Sequence, residues 1–246
     1  MCFDVDSEPP VGTSGTAVAS RQVHLTAADG VQFAAFDAVP GVRGNTAVLV
    51  LPDVRGLYRF YEQLAVRLAE NGHRSLAIDY FGRSAGLGPR DDDFEFMPHI
   101  EAMTFAGLVA DVTAAVEYLR PMADRIYVVG FCFGGSNAWH LAAEDLGLAG
   151  AIGFYGHPDR DRPSGSGTVI EKVARISCPV LALMAGDDHA ITADLVERFE
   201  SALATEGIDH EVITYPGAPH SFFDRKYEEY RDESADAWRR MLGFIS

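Results

Sequence analysis

Short apolar runs alternating with helical patterns constrain this chain more than any other feature. The runs lie at Thr46 to Leu51, Arg74 to Ile78, Arg125 to Val129, Ala149 to Phe154, Val180 to Met184 and His210 to Thr214. Most are apolar at nearly every position, as expected of strands covered on both faces, while Arg74 to Ile78 and His210 to Thr214 open on polar residues. Between them, 3.6-residue periodicity runs from Tyr58 to Glu70, closing at Asn71-Gly72, from Ile100 to Leu119 before Pro121, from Ser136 to Glu144, and from Ala193 to Thr205 near Gly207. A last helix is expected over Tyr227 to Phe244. Such alternation specifies an α/β protein with a mostly parallel central sheet and helices on both faces. Ahead of it, Val23 to Thr26 and Val31 to Asp37 flank the hairpin signal Asp29-Gly30, which predicts an antiparallel pair at the N-terminal side. Residues 1–20 mix Pro, Gly, Ser and Thr without periodicity and read as a mobile or draped arm; residues 21–246 read as one domain, a size that a single core supports.

Charge and cysteine usage narrow the function classes. With 36 acidic against 20 basic residues the formal charge is −16, which opposes binding to phosphate backbones and anionic lipid surfaces. No nucleic-acid or membrane partner is expected. Met1 to Pro10 lacks the basic flank and apolar stretch of a secretory signal. Cys2, Cys132 and Cys178 are too scattered for a disulfide framework, and together these features predict a cytoplasmic protein.

In open parallel sheets active sites gather beyond the carboxyl ends of the strands. There, after the run Arg125 to Val129 and before a helical stretch, stands Gly130-Phe131-Cys132-Phe133-Gly134-Gly135. This is a nucleophile elbow with cysteine in the serine position. Glycines two residues to either side remove side chains that would collide in the strained turn, and the following helix directs its positive end at the sulfur, favouring thiolate. The competing reading, a buried inert cysteine beside packing glycines, needs a coincidence: with Gly at 24 of 246 positions, bracketing of any of three cysteines arises by chance roughly 3% of the time. A thiolate nucleophile needs a histidine and an orienting acid. Ala185-Gly186-Asp187-Asp188-His189 and Pro216-Gly217-Ala218-Pro219-His220-Ser221-Phe222 follow later strands and supply them in the order nucleophile, acid, histidine. Asp187 and Asp188 compete for the acid. The other histidines show no metal-binding spacing and read as solvated or structural, so neither a metal nor any cofactor is expected.

These segments resemble the dienelactone hydrolase family, over nearly the whole stretch from Val23 to the C-terminal helix. Gly130 to Gly135 is similar to the family's cysteine elbow, Gly186-Asp187-Asp188-His189 to its G-x-D-H segment, and His220-Ser221-Phe222 to its H-S-F segment. The resemblance implies an α/β-hydrolase fold, selects Asp188 over Asp187, and implies a catalytic set of Cys132, Asp188 and His220 acting on small esters or lactones through an acyl-enzyme. It further implies an oxyanion hole from the backbone N–H groups of Val54 and Phe133. Pro52-Asp53-Val54-Arg55-Gly56 carries Asp53 where relatives have a glutamate that contacts the resting thiol. Asp79 to Arg83 resembles the segment whose arginine binds a substrate carboxylate; the family's second such arginine falls on Asp224 without a gap and on Arg225 with one. Substrate contacts are accordingly expected from Asp53, Arg55, Arg83, Tyr155 and Phe222. The rival expectations are a promiscuous esterase on the same residues and a non-catalytic ligand-binding protein that kept the fold.

Overall fold

The computed structural model describes residues 7–10, 17–42 and 44–246. Its strands are β1 (Val18–Thr26), β2 (Gln32–Pro40), β3 (Thr46–Leu51), β4 (Arg74–Ile78), β5 (Arg125–Phe131), β6 (Gly150–Phe154), β7 (Val180–Asp187) and β8 (His210–Pro219). The helices are α1 (Arg59–Glu70), α2 (Gly82–Ala85), α3 (Met97–Ala102), α4 (Phe105–Leu119), α5 (Phe133–Ala142), α6 (Val169–Lys172), α7 (Ala193–Thr205) and α8 (Arg231–Ile245). One sheet in the order β1-β2-β4-β3-β5-β6-β7-β8 contains all eight strands. β1 and β2 pair antiparallel, β2 meets β4 antiparallel, and every later pairing is parallel.

Side-chain alternation along buried strands builds two apolar layers. Leu49, Leu51, Val128 and Met184 face α4, α5 and α7, packing with Val112, Trp139 and Phe199. Val48, Val50, Phe131 and Phe154 face α1 and α8, packing with Tyr61, Phe223 and Met241. All six residues of β3 are buried, so the apolar run reflects a strand with no solvent face.

Several boundaries differ from expectation: β1 begins at Val18 and not Val23, β5 runs on to Phe131, β7 to Asp187 and β8 to Pro219, and three helical stretches differ as well. The predicted helix over Ile100 to Leu119 is two helices, because Met103 is extended and Thr104 caps α4, its Oγ1 accepting the Gly107 N–H at 3.2 Å. Helix α5 begins at Phe133, immediately after Cys132, and not at Ser136. Helix α8 begins at Arg231, after a run of turns. The expected N-terminal arm is only partly described: β1 already begins at Val18, Pro9 and Pro10 are buried, and residues 1–6, with Cys2, and 11–16 lie outside the described residues. Among the described residues no helix is long and apolar enough to cross a membrane.

Candidate active site

Strands β3, β5, β6, β7 and β8 run parallel, so the segments after them emerge at one edge of the sheet. Cys132 stands there at φ 55° and ψ −111°, a conformation costly for a residue with a Cβ. Its N–H donates to the Phe154 carbonyl (3.0 Å) and its carbonyl accepts from Ser136 (3.2 Å), which fixes the turn. The surrounding glycines are steric necessities. A Cβ on Gly130 would lie 1.9 Å from the Gly134 oxygen, one on Gly134 would lie 2.2 Å from the Leu51 oxygen, and one on Gly135 would lie 2.6 Å from the Phe154 oxygen.

The two adjacent acids are separated by what each one touches. Asp188 accepts a hydrogen bond from His220 Nδ1 through Oδ2 at 2.6 Å, while its Oδ1 accepts the N–H groups of Ala190 (2.8 Å) and Ile191 (3.2 Å). Its side chain is 3% exposed against 36% for His220. Asp187 is the exposed last residue of β7, its place taken up by strand pairing with Pro219. Burial works to lower the imidazole pKa of His220, but hydrogen bonds to Asp188 and to Cys132 outweigh it and push the group up to about 10. Asp188 shows the mirror image: burial works against its charge, and the bonds to His220 and the loop N–H groups hold its carboxyl below the usual range. Tyr155 packs its ring 5.0 Å from the His220 ring. Among the described residues the non-glycine positions with positive φ are Cys132, Tyr155 (38°) and Ser221 (63°), so backbone strain collects around this one site.

A cavity of about 500 Å³ opens over Cys132, with Val54, Phe133, Tyr155, Asp188 and His220 in its wall. Phe133 is the first residue of α5, so its N–H has no intrahelical acceptor. Val54 lies in a turn shaped by Asp53, which accepts the Arg55 N–H at 2.9 Å and whose carbonyl accepts the Gly56 N–H at 3.2 Å, Gly56 having φ 76°. Val54 and Phe133 both line the cavity beside Cys132. A shallower depression of about 650 Å³ between α6 and α7 lies away from these strand ends.

The expected substrate contacts are placed differently. Only Tyr155 among them lines the cavity. Asp53 is fully buried and ion-paired, to Arg55 Nε at 3.0 Å and to Arg225 at 2.7 Å, and these guanidinium partners occupy its carboxylate. Arg55 spreads over the Tyr58 ring at 4.6 Å. Arg83 turns toward the outside of the sheet, pairing with Asp29 (2.5 Å) and Asp111 (2.8 Å), so it does not reach the cavity. Phe222 is fully buried against Tyr155 and Tyr215, because the strained Ser221 reverses its direction into the core. Asp224, also buried, accepts from the Tyr61 hydroxyl at 2.7 Å. Sequence reasoning passed over His157, Arg160, Arg162 and Lys226, which line the cavity. The available signal was the polar run His157 to Arg162 directly after β6, at the same sheet edge. Among the described residues no cluster of His, Cys, Asp and Glu could hold a metal ion.

Known proteins agree with this architecture. The model of the dienelactone hydrolase family matches residues 33–246. A carboxymethylenebutenolidase-like protein of Methylorubrum extorquens is 25% identical over 245 residues, covering 96% of this chain and 84% of its own. A Bradyrhizobium protein named as a probable 2-oxo-3-(5-oxofuran-2-ylidene)propanoate lactonase is 29% identical over 220 residues, covering 86% and 88%. The crystal structure of a dienelactone hydrolase-like protein from Klebsiella pneumoniae superposes with a TM-score of 0.82 at 24% identity, over 93% of this chain and 98% of that one. The chain belongs to the dienelactone hydrolase family, with the α/β-hydrolase fold, and is a hydrolase of the ester and lactone type.

Proposed function

We propose that Cys132 is the nucleophile, His220 its proton carrier and Asp188 the group that orients and charges the imidazole, in hydrolysis of small esters or lactones. The observation that carries this reading is the chain from Asp188 through His220 to Cys132, assembled from three separate strand ends around a strained elbow. Hydrogen bonds to Asp188 and Cys132 push the His220 imidazole up to about 10, so the ring is a strong acceptor for the proton that Sγ gives up as it attacks. The freed electron pair of Cys132 Sγ attacks the substrate carbonyl carbon, and the carbonyl oxygen becomes an oxyanion facing the N–H groups of Val54 and Phe133. As the Sγ–C bond persists and the C–O bond breaks, His220 gives its proton to the leaving alkoxide. In a lactone that alkoxide stays tethered as a hydroxyl. Water then attacks the thioester while its proton passes to His220, the S–C bond breaks, and the resting thiol and imidazole return with the free acid. Asp188 keeps the Nδ1 proton in place throughout, so that Nε2 faces the sulfur.

Thiolates acylate readily with activated esters and strained lactones and poorly with amides, whose amine leaves less easily than the thiolate itself. The name of the Bradyrhizobium relative supports a lactone. The cavity of about 500 Å³ is roomy for a single small ring and favours, as a second reading, a broader range of esters on the same residues. Intact mass after brief incubation with a panel of aryl esters and enol-lactones tests both readings. A single acyl adduct, absent from Cys132→Ala, is the expected result, and its mass identifies the preferred acyl group. Undiminished ester turnover by Cys132→Ala would remove Cys132 from the mechanism, and the absence of adduct and turnover with every substrate would favour a non-catalytic role.

A further inference from the structure

The two backbone donors proposed for the oxyanion come from different elements. Phe133 opens α5, and Val54 stands in the turn that follows β3. Their spacing is decided where the end of β3 meets the start of α5, a contact so close that a Cβ on Gly134 would lie 2.2 Å from the Leu51 oxygen and 2.4 Å from the Pro52 oxygen. A third element closes this contact. Tyr80, just beyond β4, is 4% exposed. Its ring packs edge-on against the Phe133 ring, with centroids 5.5 Å apart at 86°, and its hydroxyl donates to the Pro52 carbonyl at 2.9 Å. Tyr80 thus touches both donor segments, and it does so from behind, since it is not part of the cavity wall.

The end of β4 is itself held firmly. Asp79, 1% exposed, accepts the N–H groups of Phe81 (3.0 Å) and Leu57 (3.2 Å) and pairs with Arg90 at 2.8 Å, while its own N–H donates to the Ala34 carbonyl at 2.9 Å. The turn from Pro52 to Leu57 is therefore gripped twice from one strand end, by Tyr80 at Pro52 and by Asp79 at Leu57. Between these grips the Asp53 carbonyl accepts from Gly56 at 3.2 Å. That carbonyl shares a peptide plane with the Val54 N–H, so the direction of the donor is fixed with it. Burial raises the Tyr80 phenol well above its ordinary pKa, so the hydroxyl keeps its proton and stays a donor. Cys132 and Asp53 also lie within electrostatic reach of that hydroxyl.

We propose that Tyr80 is a positioning residue that sets the separation of the two oxyanion donors, its ring bracing the first turn of α5 and its hydroxyl fixing the peptide between Pro52 and Asp53, from which the Val54 N–H follows. The inference rests on the proposed attack by Cys132 and on the Val54 and Phe133 N–H groups receiving the oxyanion. Such donors stabilise the transition state only when each stands at hydrogen-bond distance from the place the oxygen reaches in the tetrahedral intermediate. A small displacement of one donor then slows acylation without weakening the binding of the substrate beforehand.

The test uses Tyr80→Phe, which keeps the ring and removes the hydroxyl. With an aryl ester, the acylation rate read from first-turnover release of the phenol is expected to fall about 10- to 100-fold, with KM changed by no more than about twofold. The comparison reaction is exchange of the same sulfur with dipyridyl disulfide, followed by mass at Cys132. There the thiolate attacks one sulfur, the S–S bond breaks and thiopyridone leaves with the electron pair, so no carbonyl oxygen gains charge. The rate of exchange and its pH midpoint are expected to be the same in wild type and Tyr80→Phe. An unchanged acylation rate overturns the inference, as does an equal fall in exchange, which would place the effect at the sulfur or in the fold at large. Should Tyr80→Phe not fold, Phe133→Leu removes the ring that Tyr80 braces; the ratio of acylation to exchange is expected to fall there too, and an unchanged ratio overturns the inference equally. A wild-type protein that exchanges at Cys132 but is acylated by no ester would overturn the proposed hydrolysis and this inference with it. Normal wild-type acylation with an unchanged ratio in Tyr80→Phe would overturn the inference alone.

Discussion

Replacing Asp188 by asparagine isolates the electrostatic part of this site with almost no change of shape. The carboxylate does two things at once: Oδ1 accepts the N–H groups of Ala190 and Ile191 at 2.8 and 3.2 Å, and Oδ2 accepts from His220 Nδ1 at 2.6 Å. A carboxamide has one acceptor oxygen, and the two loop donors claim it, because the opposite orientation would face an NH2 against both of them. The NH2 is then left toward Nδ1, which becomes an acceptor. The ring proton moves to Nε2, the nitrogen that takes a proton from Cys132 in the proposed mechanism. The imidazole, which burial works to neutralise, also loses the carboxylate that helps push it up to about 10. Amidating the equivalent acid of a serine protease triad costs about 10⁴-fold in kcat, or about 5.4 kcal/mol at 1.36 kcal/mol per decade. A loss of the same order is expected here. The assay is kcat/KM for an aryl ester across about pH 5 to 10, with circular dichroism to confirm the fold. Asp187→Asn is the control, since an exposed charge without a histidine partner is expected to change the rate by no more than about fivefold. Retention of more than about a tenth of wild-type activity by Asp188→Asn, or a larger loss in Asp187→Asn, would refute the assignment.

Gly134→Ala places a Cβ 2.2 Å from the Leu51 oxygen and 2.4 Å from the Pro52 oxygen; backbone must move, and a loss of about 3 kcal/mol is expected by urea denaturation, a loss under about 1 kcal/mol showing that the elbow can relax. Arg83→Ala strips Asp111, 3% exposed, of its partner; unfolding free energy is expected to fall by about 1 to 3 kcal/mol, and a selective loss of activity toward carboxylated esters would instead restore Arg83 to substrate recognition. For His220 the folded pKa is raised from 6.5 to about 10, so the stability it contributes is complete below pH 6.5 and is lost as pH rises through about 10. Denaturant midpoints of wild type and His220→Ala should converge across that window, and parallel curves would show that the imidazole carries no folded-state charge.

Much of the architecture was legible in the chain because burial on both faces leaves a local signature. β3 and β4 begin and end where their apolar runs do, since every strand position except Arg74 is buried. Helix α7 matches its periodicity as well, with Leu195, Val196, Phe199 and Leu203 on the buried face. The split between α3 and α4 was hidden because apolar periodicity continues through Met103 and Thr104, and only the cap marks the break. Phe222 illustrates the converse error: an aromatic beside a candidate histidine suggests a binding surface, whereas the reversal at Ser221 sends it into the core.

Taken alone, the sequence determined the order of the strands and the longer helices, but not the short helices α2, α3 and α6, together with the cysteine elbow with its glycines and a short list of partner groups, because each of these depends on contacts within a few residues along the chain. Tertiary structure decided which partners meet. Asp188 and Asp187 are neighbours with the same chemistry, and only the path of β7 beside β8 brings one of them to Nδ1 of His220. Arg83 and Arg225 are the same residue type at strand ends, and each is assigned by carboxylates distant in sequence: Asp29 and Asp111 hold the first and Asp53 holds the second. Ion pairing depends on separation in space, falling off within angstroms, and no local pattern of residues encodes which charges will be brought that close.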